Sequence, residues 1–191
     1  MKPSFLFLAQ GFEEIEALTV VDVMRRAGMD VKTVSVTADK CVQGAHGIIV
    51  EADLTITEAN IGEAEWLIAP GGMPGSANLA ECDKLTKVLK MHYANGGKIA
   101  AICAAPAVVL APLGILDGKD ATCYPGFEDQ CPKSVMRDTP VVALSTIITA
   151  NGPAAALRFA LAIVANSMGE NIAHEVGSGM LFYPKEINFY F

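Results

Sequence analysis

The chain has 191 residues, 52% of them hydrophobic and 18% charged, enough to fill one core and little more, so a single domain over residues 1–191 is expected. Its formal net charge of −7 argues against a nucleic-acid partner, because modules that bind a phosphate backbone present a basic face. The five cysteines, Cys41, Cys82, Cys103, Cys123 and Cys131, are irregularly spaced and include no C-x-x-C pair, which suggests neither a disulfide framework nor a zinc site and fits a reducing, cytoplasmic setting.

The first apolar run, residues 4–9, is too short for a signal peptide. It gives way to Glu13-Glu14 where a small-residue cleavage site would stand, so it reads as a buried strand. No segment approaches the roughly 18 uninterrupted apolar residues that span a bilayer, and no membrane partner is expected. From Glu13 to Ala27, Ile15, Leu18, Val21 (or Val20) and Met24 recur at helical spacing, and Gly28 closes the helix. A strand rich in β-branched residues follows at Val31–Val36, then a polar stretch from Thr37 to Gln43 and a short strand pair near His46–Val50.

Leu67-Ile68-Ala69 is a short apolar run ending in Pro70-Gly71-Gly72, whose glycines allow close backbone approach. One amphipathic helix is expected over Leu79–Tyr93, with Leu85, Val88, Leu89 and Met91 or His92 inward and Asn95-Gly96-Gly97 ending it. Lys98–Ile102 then reads as a strand that stops at Cys103 and restarts as a helix ending near Leu113-Gly114. Ala121-Thr122-Cys123 reads as a strand and Tyr124-Pro125-Gly126 as a loop. Val141–Ala143 and Thr146–Thr149 form a hairpin, Asn151-Gly152-Pro153 opens a helix over Ala154–Met168, and a last helix around Asn171–Met180 precedes an aromatic tail.

Strands and helices alternating at these lengths imply an α/β fold, a mostly parallel sheet covered on both faces. In such sheets ligands bind beyond the carboxyl ends of the strands, where the loops at Gly11, Pro70-Gly71-Gly72 and Cys103 converge. A thiol at a strand-to-helix elbow is placed as a nucleophile, with backbone N–H groups of the following turn facing what it attacks. The alternative reading of Cys103 is a buried small hydrophobe.

The segments Gly11-Phe12-Glu13-Glu14-Ile15-Glu16, Val23-Met24-Arg25-Arg26-Ala27-Gly28, Pro70-Gly71-Gly72, Ala101-Ile102-Cys103-Ala104-Ala105-Pro106 and Asn151-Gly152-Pro153 together resemble the ThiJ/PfpI superfamily, in its branch holding the parkinsonism-associated deglycase and bacterial YajL. The resemblance is collinear over nearly the whole chain. It implies a flavodoxin-like three-layer sandwich, a homodimer, and a reactive Cys103 beside a carboxyl from the first helix, Glu16. A protonated Glu16 donating to a Cys103 thiolate is the expected arrangement, with the N–H groups of Gly72 and Ala104 as oxyanion donors. For Glu16 the competing reading is a solvated carboxylate complementing the helix dipole, which suits Glu13 and Glu14 equally.

This chain has Ala104 where the peptidase-like members carry His after the nucleophile, which argues against proteolysis. His174-Glu175 lies in an expected helix without the amidotransferase motif. Where many members place a pocket His, Tyr124 stands here, either as a hydroxyl donor or as an aromatic wall. Gly71, Ala105 and Pro153 complete the expected substrate pocket, and the resemblance suggests that Arg26 reaches the pocket of a partner subunit, an exposed helix arginine being the alternative. A relative's interface thiol corresponds to Gly44. His46 and His92 lie on different elements and suggest no metal site. A thiol and a carboxyl without a histidine point to cofactor-free chemistry on small 2-oxoaldehydes such as methylglyoxal, or on their thiol and amine adducts. The rival expectation is a redox-sensing or stress-chaperone protein whose Cys103 is oxidised to the sulfinic acid.

Overall fold

The computed structural model describes residues 2–182. In chain order the strands are β1 (Ser4–Leu8), β2 (Val31–Ser35), β3 (Cys41–Gln43), β4 (Ile49–Glu51), β5 (Leu54–Thr55), β6 (Trp66–Ala69), β7 (Lys98–Ile102), β8 (Asp120–Ala121), β9 (Val135–Met136), β10 (Val141–Ala143) and β11 (Ile147–Ala150). The helices are α1 (Glu14–Arg26), α2 (Gly75–Glu81), α3 (Asp83–Ala94), α4 (Ala156–Met168) and α5 (Glu170–Gly179).

Every residue of β1 is buried. Phe5 and Phe7 enter one apolar cluster and Leu6 and Leu8 the other, the alternation of a strand covered on both sides. β6 and β7 repeat the division, with Trp66, Ile68, Ala100 and Ile102 on one face and Leu67, Ala69, Ile99 and Ala101 on the other. Seven strands join in the order β10-β11-β7-β6-β1-β2-β5, parallel except for β10. Side chains of α1, α4 and α5 fill the first face, and those of α2, α3 and residues 105–116 fill the second. This is the three-layer, flavodoxin-like α/β architecture expected.

Several elements differ from the sequence reading. The helix expected over 79–93 is two helices that meet at Cys82, whose backbone is extended. Leu79 and Leu85 are both fully buried, yet on one continuous helix they would point roughly 120° apart, and the break lets both reach the core. The helix after Cys103 is a π turn, Pro106–Leu110, followed by a 3-10 turn, Ala111–Leu113. Pro112 has no N–H for an α-helical ladder, so the backbone loosens there instead.

The strand pair expected near 46–50 is β3 with β4, Val42 opposite Val50, and His46 falls in its turn. The strand expected at 121–123 is the short β8, paired with β9 outside the main sheet, and Cys123 lies beyond it. The 141–149 hairpin forms, with Val142 opposite Thr149. On α3 the inward residue is the half-buried His92, while Met91 is 64% exposed. The aromatic tail lies outside the described residues. Among the described residues no helix is long and apolar enough to cross a membrane.

Candidate active site

The chain leaves β1 for β2 on one side and later places β6 on β1's other side, so the order of strands reverses between β1 and β6. Loops diverge at such a point and leave a crevice at the carboxyl ends of the strands. Three of them meet there: residues 9–13 after β1, Pro70-Gly71-Gly72 after β6, and Cys103 after β7.

Cys103 has φ 65°, a left-handed conformation that a residue with a Cβ adopts at a cost of about 1–3 kcal/mol unless its surroundings enforce it. Both of its peptide groups are held: its N–H donates to Ala150 C=O at 2.9 Å, and Tyr124 N–H donates to its C=O at 2.8 Å. The strand and the following turn therefore diverge at the thiol. Cys103 is 8% exposed, and the N–H groups of Gly72 and Ala104 are directed at its sulfur. Ala105 is buried directly behind it, in helical conformation.

Glu16 is fully buried on the first turn of α1. Glu13 caps this helix, its carboxylate accepting the Glu16 N–H at 2.7 Å. Gly71 ties the helix to the β6 loop in both directions: its C=O accepts Glu13 N–H at 3.0 Å, and its N–H donates to Glu16 Oε2 at 2.7 Å. A Cβ on Gly71 would lie 2.6 Å from Glu16 Oε2 and 2.9 Å from Cys103 Sγ, so only glycine lets the loop pass this close. Glu16 Oε1 is buried without another partner, and the Cys103 thiol lies within hydrogen-bonding reach of the carboxyl.

Burial pushes the Glu16 carboxyl up to about 7, against the hydrogen bonds from Cys103 and Gly71 that favour its charge. Burial and the neighbouring Glu16 charge push the Cys103 thiol up to about 12. Above neutral pH the pair thus keeps one proton and resists a second charge, as two acids sharing a dry site do. The sequence reading placed that proton on Glu16. Burial disfavours the charged form of both groups, the Glu16 carboxylate and the Cys103 thiolate alike, so the proton is shared between two acids that are each raised.

The structure brings Tyr124, Gly71, Gly72, Ala104 and Ala105 to the elbow. The Tyr124 ring stands edge-on to Phe127, with centroids 6.4 Å apart, and closes against Gly152, beside Pro153. Arg26 is not brought there within one chain. It bonds Asp22 at 2.8 Å at the far end of α1, roughly 15 Å along the helix from Glu16. His174 lies on α5 and contacts Ser178, away from the elbow.

Of the apolar spacing on α1, Val20, Val21 and Met24 are buried as a core stripe would be, but its first turn departs from it. Ile15 and Leu18 are 56% and 39% exposed, whereas Glu14 and Glu16 face inward. Glu14 accepts two hydrogen bonds from His46, one from its backbone N–H and one involving its ring Nδ1, each at 2.7 Å. Burial favours the neutral Glu14 acid, but these bonds outweigh it and hold the carboxyl below its usual range. Glu13, Glu14 and His46 have donor atoms within 4.8 Å of one another, a grouping their spacing did not disclose. Gly44 packs so tightly on the Glu14 carboxylate that any side chain there would collide with it.

A doubly wound α/β sheet with a strained cysteine elbow at its switch point and a buried carboxyl against the sulfur defines a class of cysteine-centred proteins. Residues 4–166 match the DJ-1/PfpI family, and the chain belongs to that family. It is 34% identical over 180 residues to Protein DJ-1 homolog B of Arabidopsis thaliana, covering 93% of this chain and 41% of that protein, so it spans less than half of that relative. It is 35% identical over 156 residues to the glutathione-independent glyoxalase DJR-1.2 of Caenorhabditis elegans, covering 80% of this chain and 81% of that one. The solved structure of oxidized Toxoplasma gondii DJ-1 superposes with a TM-score of 0.92 at 36% identity, covering 95% of this chain and 99% of that one.

Proposed function

We propose that this chain is a single-domain, cofactor-independent glyoxalase- or deglycase-type enzyme acting on 2-oxoaldehydes such as methylglyoxal or on their adducts. The observation that carries this reading is the buried Glu16 carboxyl set against the Cys103 thiol at the sheet's switch point. A relative named as a glutathione-independent glyoxalase supports the substrate class.

In the first step Cys103 Sγ adds to the aldehyde carbon. A C–S bond forms as the carbonyl π bond breaks, and Glu16 takes the thiol proton. The hemithioacetal oxyanion is stabilised by the N–H groups of Gly72 and Ala104. Glu16 hands the thiol proton to that oxygen and, again a carboxylate, moves the proton from the former aldehyde carbon to the neighbouring carbon through an enediol, turning the hemithioacetal into a 2-hydroxy thioester. Water cleaves the thioester, releasing the 2-hydroxy acid and restoring the thiol. A base that titrates near 7 suits this work, because its protonation state changes readily at the operating pH. Tyr124 offers its hydroxyl at the mouth of the site, while Gly71, Ala105 and Pro153 shape its walls.

The functional unit in this reading is a cytoplasmic homodimer. Ile15, Leu18, Ile48 and Ile49 are large apolar side chains 39–66% exposed, and they flank the Glu14–His46 contact where α1 meets the β3–β4 hairpin. Apolar side chains gathered on one surface favour association. Arg26 then serves the pocket of the second copy.

The test is a steady-state assay of methylglyoxal conversion to lactate, with free-thiol controls that correct for simple trapping of the aldehyde. Cys103→Ala is expected to abolish turnover, and Glu16→Gln to lower kcat by about 100-fold or more. Wild-type rates in either variant would overturn the mechanism.

A further inference from the structure

Two thiols stand outside the chemistry proposed for Cys103. Cys123 and Cys131 are 4% and 2% exposed and belong to the apolar cluster on the α3 side of the sheet. The loop between them folds back through three successive turns. Phe127 N–H donates to Tyr124 C=O at 3.1 Å, Gln130 N–H to Phe127 C=O at 3.0 Å, and Cys131 N–H to Glu128 C=O at 2.8 Å. These turns return Cys131 to Cys123, and the two thiols interact directly.

Each sulfur has its own approach from solvent. Cys123 lines a cleft of about 400 Å3 with Pro125, Glu128, Arg137 and Asn151. Cys131 lines a second cleft, of about 300 Å3, with Pro112, Gln130 and Lys133. A zinc site needs more donors than this pair supplies, and among the described residues the only group of three potential metal-ligand side chains is Glu13, Glu14 and His46. What remains is the chemistry of two adjacent thiols.

The geometry points to Cys123 and Cys131 as a redox-active dithiol that closes to an intramolecular disulfide when a hydroperoxide reaches it. Contact with Cys123 lowers the Cys131 thiol below its usual range, while Cys123 is raised and keeps its S–H within 3.5 Å of the Tyr124 carbonyl, so Cys131 is assigned as the attacking sulfur. Its thiolate attacks one peroxide oxygen. The S–O bond forms as the O–O bond breaks, and the departing alkoxide or hydroxide takes a proton from solvent. Cys123 sulfur then attacks the sulfenic sulfur of Cys131. The S–S bond forms, and hydroxide leaves as water with the Cys123 proton. In sum, two thiols lose two electrons and two protons, and the hydroperoxide is reduced to water and an alcohol, or to two waters. The ring so closed contains Tyr124, whose N–H holds the Cys103 carbonyl.

The experiment uses the Cys103→Ala full-length chain, so its outcome is independent of the proposed aldehyde chemistry. Reduced protein receives one equivalent of hydrogen peroxide, is denatured in N-ethylmaleimide, digested and weighed. The expected product is a Cys123–Cys131 cross-linked species two hydrogens lighter than the dithiol, unlabelled by maleimide and restored by dithiothreitol. Free thiols fall from four to two, Cys41 and Cys82 remaining. The added changes Cys131→Ser and Cys131→Ala should each abolish the cross-link and leave Cys123 open to labelling or to oxygen addition. Maleimide on both Cys123 and Cys131 after peroxide, or oxygen adducts on them without a cross-link, would overturn the proposal.

Discussion

Glu16 meets Cys103 with one carboxyl oxygen, Oε2, pinned by the Gly71 N–H at 2.7 Å and the other, Oε1, buried with no hydrogen-bond partner, while the thiol lies within reach of the carboxyl. A carboxyl held in this way has one position and one group with which to exchange its proton. Its burial and the burial of the sulfur set the chemistry that the elbow supports.

The first consequence is a pH dependence. Because the proposed base is ionised Glu16 and its carboxyl is pushed up to about 7, kcat/KM for methylglyoxal should rise about tenfold per pH unit below that value and level off above it. Glu16→Gln should remove the rise. A wild-type profile flat from about pH 5 to about pH 8 would remove Glu16 from the base role.

The same shift bears on stability. In the unfolded chain Glu16 ionises near the ordinary carboxyl value of 4.5, and in the folded chain the carboxyl is pushed up to about 7. Between those values the folded state binds the extra proton, so stability falls as pH rises through this window and stays lower above it. The cost at pH 8 is on the order of 3 kcal/mol. Glu16→Gln should therefore melt higher than wild type at pH 8, with the difference vanishing near pH 4.5, which thermal unfolding at the two pH values measures.

Gly71 admits no side chain between Glu16 and Cys103. Gly71→Ala must push the loop off the pair, and a loss of about 100-fold or more in kcat is expected with the overall fold retained by circular dichroism. Activity close to wild type would show that the tight approach is dispensable.

Ile15 and Ile49 are more than half exposed, so charged replacements cost the isolated chain little, about 0.5 kcal/mol or less. In the proposed dimer they are covered. The double substitution Ile15→Lys with Ile49→Lys should shift the protein from dimer to monomer in sedimentation velocity. A wild-type monomer, or a double variant that still dimerises, would place the interface elsewhere or remove it.

The residue pattern alone carried the fold class, because β1, β6 and β7 are continuous apolar runs and the helices between them are periodic, features that local sequence expresses directly. It also carried the elbow, since a run of buried strand residues ends at Cys103 and Pro106 opens the next turn. The apolar spacing carried Val20, Val21 and Met24 of α1 into the core, but which side chains of its first turns face inward was not legible. Ile15 and Leu18 have the spacing of a core stripe, but Gly71 and His46 offer hydrogen bonds that make burial of Glu16 and Glu14 affordable, and those partners come from distant segments.

The break at Cys82 and the meeting of Cys123 with Cys131 were hidden for the same reason. Each depends on where other elements pack and how a loop folds back, which no local period records. The sequence by itself determined a parallel α/β sheet with a cysteine at its carboxyl edge, through hydrophobic periodicity and turn chemistry. Only the tertiary structure decided the state of that cysteine, because the desolvation, charge and hydrogen bonds that set its proton come from residues that folding alone brings together.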